Sequence, residues 1–308
     1  MDEPQAWING QEVPFSQLAL PVWDLGVVAG ASITEMARTF RHQPFQLSQH
    51  LQRLEASCAR LGFEMPFCVR DLAIAAERLV LKNIASIDEN DDLGIVMFVT
   101  AGANRTYLGA ENLPGGTTAV HTFRLPLELW RSTAEDGVRL TIPERRQISE
   151  CSLPVNHKTR NRLHWWLADR EADAEESGSR ALLLDSSGLI TETSTACFFA
   201  VIEGTVVTPS SQVLDSMSRR MVQEAAADCG LKFEQRGIYA DEVTVMEEAF
   251  LSSTSSGLLR VRSIDRRVIG TAGRRTVMSD LLAYWKKVTG LNPLHQILMG
   301  DAPPAGAD

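Results

Sequence analysis

The chain has little that would staple it, anchor it in lipid or hold a nucleic acid. Its five cysteines, Cys58, Cys68, Cys151, Cys197 and Cys229, are scattered, odd in number and never in a CxxC spacing. That argues against a disulfide framework or a zinc site. The six histidines form no HxH or HExxH pair, so no metal is expected. No apolar run is long enough to span a bilayer. Basic residues are outnumbered, 30 Lys and Arg against 39 Asp and Glu, for a formal net charge of -9. A broad nucleic-acid surface would need a basic patch, so that partner is excluded too. The opening Met1-Asp2-Glu3-Pro4 is acidic and lacks the apolar core of a secretion signal. A cytoplasmic protein is expected. No internal repeat and no low-complexity segment interrupts the 308 residues.

What is present reads as an ordinary globular chain, 44% hydrophobic and 22% charged, with enough length for two medium domains. Trp7 to Val13 carries Asn9-Gly10 between short apolar runs, a hairpin signal. Ile33 to Phe40 alternates apolar and polar like a strand, which would put Glu35 on the polar face. Ser48 suits the N-cap of a helix with Leu51, Leu54, Cys58 and Leu61 on one stripe. That stripe leaves His50, Arg53 and Arg60 off the apolar face, and Gly62 ends the helix. Asp71 to Lys82 reads as a second helix. Leu93 to Thr100 and Thr117 to Phe123 read as strands. The breakers between Pro126 and Gly137 mark a connection. The expected division is a small N-terminal α+β domain over 1–126, a larger domain over 127–300, and a loose tail over 301–308.

In the larger part, Val138 to Ile142 reads as a strand. Pro154 to Leu163 then reads as an extended approach that breaks into a helix just after Lys158. That helix would carry Arg160 and Arg162 in its first turn and Glu175 and Glu176 in its last, so both ends oppose the helix dipole. Early arginines so placed suit an anionic ligand. Short strands follow at Ala181 to Asp185, Leu189 to Thr193, Ala196 to Ile202, Thr205 to Pro209, Lys232 to Ile238, Glu248 to Ser252 and Arg260 to Ile264. Ser218 to Cys229 and Thr276 to Val288 read as helices.

Four pieces can carry chemistry. Lys158, near Trp165 and Trp166, can lose hydration, which lowers a lysine pKa and supplies a neutral amine for Schiff-base chemistry. Glu192 is a carboxylate on a strand that then turns apolar. Ser252 to Gly257 offers hydroxyls and backbone N–H groups after a strand. Ser216-Met217-Ser218-Arg219 opens a helix, whose N-terminus attracts anions. Arg53 adds a fixed cation with forked donors. Singly, each has a bland reading as surface lysine, solvated glutamate, polar turn, helix cap or helix-surface arginine. Together they meet one requirement, that of pyridoxal 5′-phosphate: an amine for its aldehyde, a cradle for its phosphate and a carboxylate for its ring nitrogen.

In this order and spacing, the chain resembles the class IV, fold-type IV, pyridoxal-phosphate enzymes. That group includes branched-chain aminotransferases, D-amino-acid aminotransferases and aminodeoxychorismate lyase. The supporting segments are Asp24-Leu25-Gly26 with Gly30 and Glu35, His50 to Leu54, Lys158 to Leu163, Gly188 to Glu192, Thr208-Pro209, Leu214 with Arg219, and Phe250 to Thr254. The resemblance implies a small N-terminal α+β domain, a larger cofactor-binding domain with a barrel-like sheet, and a homodimer. It implies that Lys158 bonds the cofactor and carries the proton. It implies further that Glu192 pairs with the ring nitrogen, and that Arg53, Met217, Ser218, Thr254 and Ser255 hold the phosphate.

Several positions depart from the family pattern. Cys197 stands where Asn is usual, Ser216-Met217-Ser218 where Gly-Ile-Thr is common, and Ser253 for Gly. Ala101 replaces an Arg common in D-amino-acid aminotransferases and the lyase, with Arg105 nearby, and Thr34 replaces an aromatic residue. Thr34, Glu35, Ala101 and Arg105 are therefore the expected substrate-pocket positions. The expected reaction is amino transfer between an amino acid, branched-chain in preference, and a 2-keto acid. The alternatives are release of pyruvate and 4-aminobenzoate from 4-amino-4-deoxychorismate, or a degenerate, non-catalytic member.

Overall fold

The computed structural model describes residues 3–109, 111, 113–270 and 276–299. The expected tail at 301–308 lies outside them. The chain separates into two compact units, the first running to Leu125 and taking in His157–Asn161, the second holding Pro126–Asn156 and the chain from Arg162. The sequence reading put His157–Asn161 in the larger domain; its backbone contacts lie with the first unit.

The first unit is a six-stranded antiparallel sheet with two helices on one face. Its strands are β1 (Gln5–Ile8), β2 (Gln11–Pro14), β3 (Ser32–Phe40), β4 (Gln43–Phe45), β5 (Leu93–Thr100) and β6 (Thr118–Arg124), in spatial order β2-β1-β6-β5-β3-β4. Single-turn helices α1 (Leu25–Val28) and α4 (Arg105–Leu108) precede β3 and follow β5. The covering helices are α2 (Leu47–Leu61) and α3 (Val69–Asn83). Ile33, Ala37, Ile95, Met97, Val99 and Val120 face them and join Leu51, Leu54, Leu72 and Leu79 in one core. On the opposite face Val96, Phe98 and Ala119 pack with Met36 and Phe123. Both faces are covered, so β5 is buried along its whole length.

The second unit contains a closed barrel-like sheet. Its strands are β7 (Val138–Thr141), β8 (Arg180–Leu184), β9 (Ile190–Thr193), β10 (Cys197–Ile202), β11 (Thr205–Pro209), β12 (Lys232–Arg236), β13 (Glu248–Ser253), β14 (Gly257–Ile264) and β15 (Arg267–Val268). The order β10-β13-β14-β7-β8-β9 returns to β10 through one pair, Cys197 with Glu192, while β12 and β11 extend from β10. Closure pairs each of these six strands on both sides and leaves the edge to β12. Helices α5 (Leu127–Asp136), α6 (Leu163–Glu175), α7 (Met217–Asp228), α8 (Val277–Thr289) and α9 (Pro293–Met299) complete the unit. Trp165, Ala168 and Ala172 of α6 pack on Ala181 and Leu183 of β8. Phe199 and Phe250, partners across β10 and β13, stack with centroids 5.1 Å apart. Among the described residues no helix is long and apolar enough to cross a membrane.

Four local expectations change. Pro126 to Gly137 is no plain connection but holds α5, with Pro126 at its N-cap position and Gly137 at its C-cap; the breakers bound a helix rather than interrupt a linker. Lys158 does not open a helix. Thr34 N–H donates to the Lys158 carbonyl at 2.8 Å and Arg160 N–H to the Ser32 carbonyl at 3.0 Å, around an Ile33–Thr159 bridge. The backbone groups a helix would use are taken by the edge of β3, and α6 starts at Leu163. Ser48 lies inside α2, whose N-cap is Gln46 in the left-handed region. Glu35 and His50, both read as polar-face residues, are buried, and the reason is that they bond each other.

Candidate active site

In the first unit the candidate residues gather at the edge of β3. Its alternation sends Ile33, Glu35 and Ala37 toward the helices and Thr34 and Met36 to the other face. On α2, His50 and Arg53 stand three positions apart and so share one side of the helix. That side meets Glu35. Arg53 donates through Nε to Oε1 at 2.6 Å and through Nη2 to Oε2 at 2.7 Å, and His50 Nδ1 lies 2.8 Å from Oε2. Glu35 is fully buried and the Arg53 side chain is 11% exposed. Burial alone would raise the Glu35 pKa. The hydrogen bonds from His50 and Arg53, with their charge, outweigh it and hold the carboxyl at about 2. Burial lowers the His50 pKa against the pull of Glu35, and the nearby charges of Arg53 and Lys158 lower it further. A neutral His50 donating to an ionised Glu35 fits both directions.

Lys158 sits in the extended segment laid along β3, and its charge is felt at His50. The segment is pinned further by His157 Nδ1, 3.0 Å from the Ser57 hydroxyl on α2. Arg160, two residues on, lies over the Phe98 ring, 5.1 Å from its centroid. Thr34 is buried and its hydroxyl is committed to the Met97 carbonyl at 3.1 Å. Thr34 and Glu35 therefore serve opposite faces of the sheet. Ala101, the residue after β5, is exposed with its N–H on the Ala31 carbonyl, and Arg105 opens α4 exposed. Neither joins the Glu35 cluster.

In the second unit, Glu192, Cys197 and Ser252 form one row across β9, β10 and β13 by register. Register partners project to the same face, so the row spans roughly 10 Å of one surface. Glu192 is 9% exposed, and its Oε1 accepts the Leu214 N–H at 3.1 Å. Ser218, in the first turn of α7, is stitched to the far end of the row. Its hydroxyl donates to the Ser252 carbonyl at 3.2 Å, and the Ser252 hydroxyl donates to the Ser218 carbonyl at 3.3 Å. Thr254 and Ser255 occupy the turn from β13 to β14, where Ser253 accepts the Ser256 N–H at 3.1 Å. Gly257 closes that turn with φ +68°, and a Cβ there would lie 2.4 Å from Pro293. Arg162 is not in the first turn of a helix but at the N-cap position of α6, where Nη2 donates to the Ser194 carbonyl. Burial lowers its pKa, and the charges of Glu192 and Asp169 oppose that shift.

These residues suit pyridoxal 5′-phosphate. The Ser216 side chain makes no cap hydrogen bond to α7 and pairs with the Ser218 hydroxyl at 2.8 Å. With no acidic residue in that first turn, the N–H groups at Met217 and Ser218 open on a positive helix end suited to a phosphate. The same row ends at a buried carboxylate, which suits a protonated ring nitrogen. Sequence reasoning missed His50, although its spacing from Arg53 was a usable signal. Ser252 reads only as the start of the serine-rich stretch after a strand, and the Leu214 N–H has no local signal as a partner of Glu192.

Comparison with known proteins gives a consistent set. The family described as amino-transferase class IV matches residues 32–264. D-alanine aminotransferase of Bacillus licheniformis is 25% identical over 267 residues, covering 85% of this chain and 89% of that protein. A probable branched-chain-amino-acid aminotransferase of Rickettsia felis is 25% identical over 260 residues, covering 84% and 86%. Among solved structures, the branched-chain amino acid aminotransferase from Thermobaculum terrenum, in its PLP-bound holo-form, superposes with a TM-score of 0.79. It is 24% identical, over 94% of this chain and 94% of that one.

Proposed function

The chain belongs to the class IV aminotransferases, and from that premise we propose that it binds pyridoxal 5′-phosphate and transfers an amino group between an amino acid, branched-chain in preference, and a 2-keto acid. Enzymes of this class depend on pyridoxal phosphate. The observation that carries the reading is the Glu192–Cys197–Ser252 row, which sets a buried carboxylate at one end and the uncapped start of α7 at the other. When bound, the cofactor supplies an electron sink for the bond broken at the substrate's α-carbon.

The chain's own residues supply the rest. Lys158 offers the amine that anchors the cofactor covalently, and the same nitrogen accepts and returns the α-proton. Glu192, kept in place by the Leu214 N–H, holds the ring nitrogen protonated. The N–H groups at Met217 and Ser218 and the turn at Thr254 and Ser255 receive the phosphate. Arg53 adds a cation whose orientation Glu35 fixes. Thr34, Ala101 and Arg105 contribute to substrate choice in this reading.

The lyase alternative is not favoured, since the relatives described above are aminotransferases. A homodimer fits the exposed apolar side chains of Leu129, Leu163 and Trp166, and we place the protein in the cytoplasm, where amino-acid and keto-acid pools meet. The test is direct. Purified protein should show a visible cofactor band that borohydride abolishes and that Lys158→Ala lacks. A panel of donors should yield keto acids from Leu, Ile or Val. Protein that takes up no cofactor sinks the reading, and activity with D-Ala alone reverses the donor preference.

A further inference from the structure

One end of the barrel in the second unit holds a cavity of about 550 Å³, a volume in the range of small-molecule sites. Its walls include Trp130 of α5, Trp166 and Asp169 of α6, Arg180 of β8, and Ser253. Strand register separates it from the Glu192–Cys197–Ser252 row. Thr193 follows Glu192 and so projects to the other face of β9, where its partner is Leu182. Arg180, two residues before Leu182, shares that face, and Ser253, next to Ser252, likewise projects away from the row. The opposite face of β8, at Ala181 and Leu183, is the one that α6 covers.

Arg180 is the unspent charge of this cavity. It is half-buried, yet among the described residues its guanidinium makes no hydrogen bond and no ion pair. Burial lowers its pKa against the pull of the Asp169 charge. The two carboxylates in the same wall already have donors. Asp169 Oδ1 accepts the Ala181 N–H at 3.0 Å, and Asp173 Oδ1 accepts the Gly178 N–H at 2.7 Å. Arg170 is placed as well, its guanidinium 4.9 Å from the Trp166 ring centroid. A partly desolvated guanidinium with free donors is completed by an oxyanion. The cavity is far larger than an inorganic ion, so the anion carries an organic body, and half-buried Trp130 offers that body a flat wall. Asp169 and Asp173 penalise a second negative charge, which favours a carboxylate over a phosphate. We propose that the barrel mouth is a second ligand site, where Arg180 receives the carboxylate of a small organic acid and Trp130 faces its apolar body.

Phenylacetate, phenylacetamide and phenyl phosphate serve as probes, titrated by calorimetry into the cofactor-saturated protein. Wild type should bind phenylacetate more tightly than the other two. Arg180→Met should weaken one phenylacetate site per chain roughly ten- to hundredfold, the range of a charge-assisted pair. The amide should change by no more than about twofold. Arg180→Lys should fall between, since it keeps the charge without the fork. Trp130→Leu should weaken acid and amide alike. In Arg180→Met, kcat and KM with leucine should stay within about twofold of wild type, and the mass in solution should not change.

Wild type that binds phenylacetate no better than its amide overturns the proposal. So does an Arg180→Met variant that weakens both probes equally, or neither. Tighter binding of phenyl phosphate than of phenylacetate overturns the choice of a carboxylate. A raised KM would assign Arg180 to the substrate pocket, and a changed mass would assign it to a contact between chains; either result also overturns the proposal. If Arg180→Met does not fold, Arg180→Lys and Trp130→Leu carry the same test.

Discussion

Arg53 gives Glu35 two of its five N–H groups, at 2.6 and 2.7 Å, and so turns a helix-surface cation into a fixed one. Glu35 is in turn bonded by His50, so one buried carboxylate ties α2 to β3 twice.

This cluster makes stability depend on pH with a definite sign. The Glu35 carboxyl is held at about 2 in the fold, against an ordinary 4.5. A lowered carboxylate contributes fully above its unfolded value, and that contribution is lost as pH falls through its folded value. The loss therefore runs from about 4.5 down to about 2 and is on the order of 3 kcal/mol. His50, also lowered, adds the same sign from its ordinary 6.5 downward. Urea unfolding measured at several pH values should show stability falling below 6.5 and steeply below 4.5. Glu35→Gln should flatten the acid limb and cost roughly 3–5 kcal/mol at neutral pH, since it strands the Arg53 charge. An unchanged acid limb would mean the proton goes elsewhere.

Glu192→Gln should keep the cofactor bound while lowering turnover roughly hundredfold, because an amide cannot hold the ring nitrogen protonated. The measurements are cofactor occupancy by absorbance and single-turnover rate with leucine. Full activity in the variant would assign the carboxylate role to another residue.

Ser218→Ala removes the hydroxyl bond from α7 to the Ser252 carbonyl and the pairing with Ser216. The cost is about 1 kcal/mol, which should appear as a roughly fivefold weaker pyridoxal phosphate Kd. Pyridoxal, which has no phosphate, should bind this variant as it binds the wild type. Parallel loss of both would show that the hydroxyl holds the barrel rather than the phosphate cradle.

Asp24→Ala tests the fold away from the chemistry. Asp24 is fully buried and accepts from the Gly26 N–H at 2.7 Å and from the Thr100 and Thr117 hydroxyls at 2.8 and 2.9 Å. Losing this acceptor strands three donors and should cost about 3 kcal/mol in urea unfolding. Asp24→Asn, which keeps one acceptor oxygen, should lose less.

The strand and helix pattern was largely legible because its signals are local. LGIVMFVT at 93–100 could be little but a buried strand, and the MSRRMVQEAAAD segment of α7 carries its period on its face. The order of Lys158, Glu192 and the serine-rich turn was also written in the chain, since the family resemblance depends on order and spacing. Their partners were not. Whether Lys158 opens a helix or lies along β3 depends on a strand more than a hundred residues earlier, which takes up its carbonyl. Glu35 read as a polar-face residue because its partners, His50 and Arg53, come from another element. Glu192, Cys197 and Ser252 form a row only once the barrel closes. Which chemistry-bearing residues exist, and in what order, could be read from the chain alone. Their pairing could not, because backbone hydrogen bonds between distant strands and the burial of charge are settled by neighbours that no local window contains.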